Sequence, residues 1–159
     1  DVIAYVGGIV DVLNEFDVKL NTETLNAILN FYAKHDYTMK ARVLLESMES
    51  EGIADVVSYN TVMNALSTNL SSKRTGKKDN SRDALYLLDQ IEEKAASSSA
   101  IQPDKFTYTP VIKTISKSMS IDKAQQAKDI LDRMIKMGCK PDVVAFTAVL
   151  NACANTSAV

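Results

Sequence analysis

Tryptophan is absent, histidine occurs once, cysteine twice, proline three times and glycine five times in 159 residues. Each scarcity excludes something. Cys139 and Cys153 have neither a CxxC neighbour nor a nearby histidine, so no metal site can be written and both read as reduced, structural thiols. The lone His35, beside Asp36, makes neither a metal site nor a triad. Gly7-Gly8 follows no strand pattern and opens neither GxGxxG nor GxxxxGK(S/T), so no phosphate-cradling loop is present. No nucleophile, base and orienter can be assembled; the chain reads as non-enzymatic, with no cofactor. A long apolar run is also missing. The richest, Val2 to Val10, falls far short of the roughly 20 residues a membrane span requires. Nor does one sign of charge dominate: 18 Lys and Arg face 20 Asp and Glu, giving a net charge of −2. Nucleic-acid binding driven by bulk charge is thereby excluded, and any such binding must come from local placement.

What remains is ordinary globular composition, 46% hydrophobic and 24% charged, in a chain sized for one domain. The chain opens without methionine and stops just after an apolar helical pattern, so it reads as cut from something longer, with any targeting segment out of view.

Self-comparison reveals a repeat. Ala41, Leu44, Leu45 and Met48 recur as Ala84, Leu87, Leu88 and Ile91, and again as Ala127, Ile130, Leu131 and Met134. Each set falls at i, i+3, i+4 and i+7, one apolar stripe of an α-helix. A worn copy, Ile9, Val12, Leu13 and Phe16, opens the chain. Between the stripes lie TLNAILNFYAK, SYNTVMNAL, TYTPVIKTISK and AFTAVLNACA, the partner helix of each pair. Aligned on Asn26, Asn60, Thr109 and Thr147, these segments are unequally spaced, and the surplus falls in two stretches rich in serine, charge and turn formers, 67–83 and 95–102. Surface loops absorb insertions at about 0.6 kcal/mol per doubling of length, so helix periodicity survives. The run Lys73-Arg74 to Lys77-Lys78 makes the tip of the first insert basic; it reads as a solvated loop, with phosphate contact or partner docking as alternatives.

A helix pair cannot bury its own apolar face, so pairs must stack around a continuous core. The predicted fold is all-α: an α-solenoid of stacked helix-turn-helix hairpins forming a superhelix, in one domain. Its boundaries are a partial repeat 1–21, repeats 22–55, 56–104 and 105–142, and a partial repeat 143–159. Glu51-Gly52, Met137-Gly138, Pro103-Asp104 and Pro141-Asp142 supply the turn signals. Pro110 fits if its helix starts near Phe106 or Thr107, where a first-turn residue needs no N–H. Asp83, Asp89, Glu92, Glu93, Asp129 and Asp132 fall on polar helix faces and read as solubilising charge.

The stretches GIADVVSYNTVMNAL, QPDKFTYTPVIKTISK and MIKMGCKPDVVAFTAVLNACA resemble the pentatricopeptide repeat family. The resemblance covers essentially the whole chain, and the Trp/Leu-Gly/Tyr pattern of the tetratricopeptide relatives is absent. It implies sequence-selective binding of single-stranded RNA, one base per repeat, each base read by two or three side chains. By motif the reading pairs are Asn26 with Asp55, Asn60 with Asp104, and Thr109 with Asp142; Thr147 stands without a partner. The family rule gives uracil for Asn with Asp and guanine for Thr with Asp, hence 5′-UUG-3′, with a purine at Thr147. Val57, Phe106 and Val144 match the base-sandwiching position, which Glu23 occupies in the first full repeat; Lys34 and Lys117 match the phosphate-contacting position, where Thr68 and Asn155 depart. Asp55 follows Ala54 where the other repeats have proline.

Each assignment has a plainer counterpart. The four Asn and Thr residues fit polar first-turn positions, the three aspartates fit N-caps, Val57, Phe106 and Val144 fit packing between repeats, and Lys34 and Lys117 fit solvated lysines. Two functions follow. One is an RNA-binding protein of mitochondrion or plastid, a location implied by the resemblance alone. The other is a scaffold within a large organellar assembly such as a ribosome or transcription complex, binding protein or RNA without reading sequence, with the inserts available to protein partners. Oligomeric state is not legible.

Overall fold

The computed structural model describes residues 20–68, 79–97 and 101–156. The Gly7-Gly8 pair, the opening apolar stripe and the basic tip of the first insert lie outside the described residues. Among those described, seven helices and no strand occur: α1 (Thr22–Lys34), α2 (Thr38–Ser50), α3 (Val56–Thr68), α4 (Ser81–Ser97), α5 (Lys105–Ser116), α6 (Lys123–Lys136) and α7 (Val143–Ala154). They form three hairpins and the first helix of a fourth, stacked as a helical-repeat solenoid. Helices α3 and α4 run to Thr68 and from Ser81 to Ser97, so they take residues from the edges of both insert stretches.

The predicted stripes are the seams of this stack. Ala41, Ala84 and Ala127 are fully buried, and with no side chain beyond Cβ they let each second helix approach its neighbours. Leu45, Leu88, Leu131, Met48, Ile91 and Met134 fill one core that runs unbroken from Leu25 to Ala152. A fully buried side chain of this size contributes about 1.5–3 kcal/mol.

First helices α1, α3, α5 and α7 pack directly on one another in a row, and each second helix wedges between two successive first helices. Long polar side chains join the second helices to each other. Arg42 on α2 pairs with Asp83 on α4 at 2.8 Å, Lys94 on α4 reaches Glu49 on α2 at 3.2 Å, and Arg133 on α6 holds both Asp89 and Glu92 on α4 at 2.6 Å. Three of the carboxylates read as solubilising charge thus tie neighbouring repeats together. Glu92 also accepts from the buried Tyr108 hydroxyl at 2.7 Å, and Glu49 accepts equivalently from buried Tyr59. Burial and the adjacent carboxylate both push these phenols well above their ordinary pKa.

The turns follow their signals. Gly52 and Gly138 take φ of 71° and 77°, the left-handed conformation that ends a helix cheaply only without a Cβ. The N–H groups of Ile53 and Cys139 then close back onto the Met48 and Met134 carbonyls at 2.9 and 3.0 Å. Pro110 departs from expectation. Asp104 caps α5 through a capping box with Thr107, the helix opens at Lys105, and Pro110 is its sixth residue rather than a first-turn residue. One bond of the helical ladder is therefore forgone.

Candidate nucleic-acid interface

Asn26, Asn60, Thr109 and Thr147 are each the fifth residue of a first helix, and Glu23, Val57, Phe106 and Val144 are each the second. Helical geometry places these positions near one end of the first-helix row. Between α1, α3 and α5 that row opens a groove of about 570 Å³, whose lining includes Lys34, Val57, Asn60, Asn64, Asp104 and Phe106. Two predicted sandwich residues, one predicted reading pair and one predicted phosphate lysine are therefore brought to one concavity.

At two repeat junctions the predicted reading pair is physically joined. The Asn60 amide donates through Nδ2 to Asp104 Oδ1 at 3.1 Å, and Asn26 donates to Asp55 Oδ1 at 3.2 Å. An ionised carboxylate only accepts, so it orients the amide nitrogen toward itself. The same aspartates cap the following helix: Asp104 Oδ1 accepts from Phe106 and Thr107 N–H at 2.8 and 3.1 Å, and Asp55 Oδ1 from Ser58 N–H at 2.8 Å. Capping and pairing are one arrangement. Burial alone would raise the Asp55 carboxyl; bonds from the Ser58 N–H, the Ser58 hydroxyl and the Asn26 amide outweigh it and hold the group below the ordinary carboxylate value.

The third junction is built differently. Asp142 caps α7 by accepting from Ala145 N–H at 2.9 Å, but no hydrogen bond joins it to Thr109. The Thr109 hydroxyl is buried and has no partner among the described residues. Thr147, by contrast, is exposed and donates to its own Val143 carbonyl at 2.7 Å.

Val57, Phe106 and Val144 are 52%, 61% and 45% exposed, so they are not consumed by packing between repeats. Lys105 Nζ lies 5.1 Å from the Phe106 ring centroid and covers one face of it. Lys34 is exposed and makes no ion pair among the described residues. Lys117 donates to the Ser67 carbonyl at 3.1 Å, satisfying the end of α3.

Family comparison agrees with this architecture. Residues 8–69 match the pentatricopeptide repeat domain and residues 103–155 match the PPR repeat family. The chain belongs to the pentatricopeptide repeat family. A pentatricopeptide repeat-containing protein of Arabidopsis thaliana is 26% identical over 118 residues, which cover 74% of this chain and 19% of that protein. The chain thus spans about a fifth of the relative's length. Pentatricopeptide repeat proteins generally bind RNA. No described helix is long and apolar enough to cross a membrane.

Several lining or bonding residues of this pentatricopeptide repeat chain escaped the sequence reading. Asn64 in the groove, Lys105 over Phe106, and the hydroxyls of Ser58 and Thr107 were not singled out. The last two had a usable signal: each lies three residues after a capping aspartate, the spacing of a reciprocal cap.

Proposed function

We propose that the protein binds single-stranded RNA along the groove of its first helices and reads one base per repeat through Asn26 with Asp55, Asn60 with Asp104, and Thr109 with Asp142. The observation that carries this reading is the Asn60 to Asp104 bond at 3.1 Å in the wall of the groove. An amide held there by a carboxylate keeps one N–H and one carbonyl lone pair for the edge of a base. The Thr109 hydroxyl is buried and without a partner among the described residues, a state that costs about 1–3 kcal/mol, and it must turn out toward the groove before a base edge can bond it. Val57, Phe106 and Val144 sandwich bases, Lys34 and Lys117 approach phosphates, and the preferred core is 5′-UUG-3′ with a purine at Thr147. Localisation to a mitochondrion or plastid, with a role in RNA processing, stability or translation, belongs to the same proposal.

The rival scaffold reading has one specific support. Lys117 spends a hydrogen bond on Ser67, and the sequence pI is near 5.4, so the groove is poor in phosphate contacts. Three base contacts of about 1–3 kcal/mol each set against an association cost of about 4–15 kcal/mol also make for weak binding by three repeats. Titration at fixed low salt with two oligonucleotides, alike except that one carries UUG and the other AAC, separates the readings. Preferential retention of UUG supports base reading; equal binding, or none, supports the scaffold.

A further inference from the structure

The reading amide is held at both ends. Thr107 Oγ1 donates to Asn60 Oδ1 at 2.8 Å while Asp104 takes the nitrogen end, and Ser58 Oγ donates to Asn26 Oδ1 at 2.7 Å while Asp55 takes the nitrogen. Both hydroxyls are the third residue of the next first helix. They sit in residues that are fully buried, out of reach of solvent. At the third junction, where the reader is Thr109 and has no amide to orient, the equivalent residue is Ala145. The hydroxyl accompanies the amide.

We propose that Ser58 and Thr107 are positioning residues that set the selectivity of Asn26 and Asn60 for uracil over cytosine; the inference rests on the base-reading function above. The two pyrimidines differ where uracil presents an O4 acceptor and an N3–H donor, while cytosine presents an N4 donor and an N3 acceptor. An amide anchored by the carboxylate alone swings about one point and can offer either its N–H or its carbonyl. Anchored also through Oδ1, it presents a fixed pattern, and the mismatched base meets donor against donor or acceptor against acceptor. The hold is cleaner at Thr107. Its single hydroxyl proton has Asn60 Oδ1 at 2.8 Å and Asp104 Oδ1 at only 3.3 Å, whereas Ser58 faces Asn26 and Asp55 at 2.7 and 2.8 Å.

The test uses RNAs that differ only by U or C at the nucleotide facing Asn60. Thr107→Val is expected to lower the U:C affinity ratio there by roughly three- to tenfold, the worth of one hydrogen bond, and to leave the base preference at Thr109 unchanged; Thr107→Ser keeps the ratio. Because Thr107 also accepts from Asp104 N–H in the capping box at 3.1 Å, a gain of function complements this loss. Thr109→Asn alone places an amide in front of Ala145, and Thr109→Asn with Ala145→Ser supplies the missing hydroxyl. The double variant is expected to choose U over C more sharply than the single one. A ratio that survives Thr107→Val and is not raised by Ala145→Ser overturns the positioning role alone. A wild-type protein indifferent to U and C at Asn60 overturns base reading, and this inference with it.

Discussion

The two rows of helices are held together by different physics. Second helices are joined by ion pairs and buried hydroxyl–carboxylate bonds such as Arg133 to Glu92 and Tyr108 to Glu92, whereas first helices are joined by amide, carboxylate and hydroxyl groups that still have bonding capacity to spare. The difference separates what holds the stack together from the groups proposed above to meet RNA. On the second-helix side Glu92 is engaged on both oxygens, by Tyr108 and Arg133. On the first-helix side, among the described residues, the carboxylates of Asp104 and Asp142 accept their hydrogen bonds on Oδ1, and the Thr109 hydroxyl has no partner.

If that division is sound, damage to the second row shows in stability and damage to the first row shows in RNA choice. The largest effect is expected for Leu88→Ala on α4, a fully buried side chain. It should cost about 2–5 kcal/mol in urea denaturation and leave base preference intact in the folded fraction. Glu92→Gln comes next: it removes the charge shared by Tyr108 and Arg133 and should cost about 1–3 kcal/mol, again with base preference unchanged.

Acid sharpens the comparison within the first row. The Asp55 carboxyl sits below its ordinary value in the folded protein, so its stabilisation is complete above the ordinary carboxylate range and is lost as pH falls through the lowered folded value. Thermal melts of Asp55→Asn should therefore show a smaller loss of stability on acidification than wild type, the difference being of the order of one helix cap, about 1 kcal/mol. The smallest stability effect belongs to Asn60→Ala. Thr107 can turn its hydroxyl to Asp104 Oδ1 at 3.3 Å, so unfolding should shift by only about 0.5 kcal/mol, while preference at the facing nucleotide collapses. An Asn60→Ala protein that unfolds several kcal/mol more easily would break the division.

The repeat was legible because an apolar stripe at helical spacing leaves few other folds. Ala41, Ala84 and Ala127 all became seams, and Gly52 and Gly138 took the turns assigned to them. Pro110 falls beyond the expected first turn because Asp104 both pairs with Asn60 and caps α5, which starts the helix at Lys105 rather than near Phe106 or Thr107. The inter-repeat bonds of Glu49, Asp89 and Glu92 were illegible for another reason. A carboxylate on a polar face looks the same in sequence whether it faces water or the arginine of the next repeat, since the partner lies tens of residues away. The reading positions were legible only through family resemblance. That Thr109 is buried without a partner while Thr147 bonds its own backbone depends on what packs against each, and both read as the same residue in the same register.

The central claim is that Thr109 with Asp142 specifies a base. Selection from a random single-stranded RNA pool, run in parallel for wild type and Thr109→Asn at one fixed salt concentration, tests it most directly. The account predicts an enriched motif containing UUG whose G becomes U in the variant. Enrichment of no motif, or of the same motif by both proteins, would contradict it.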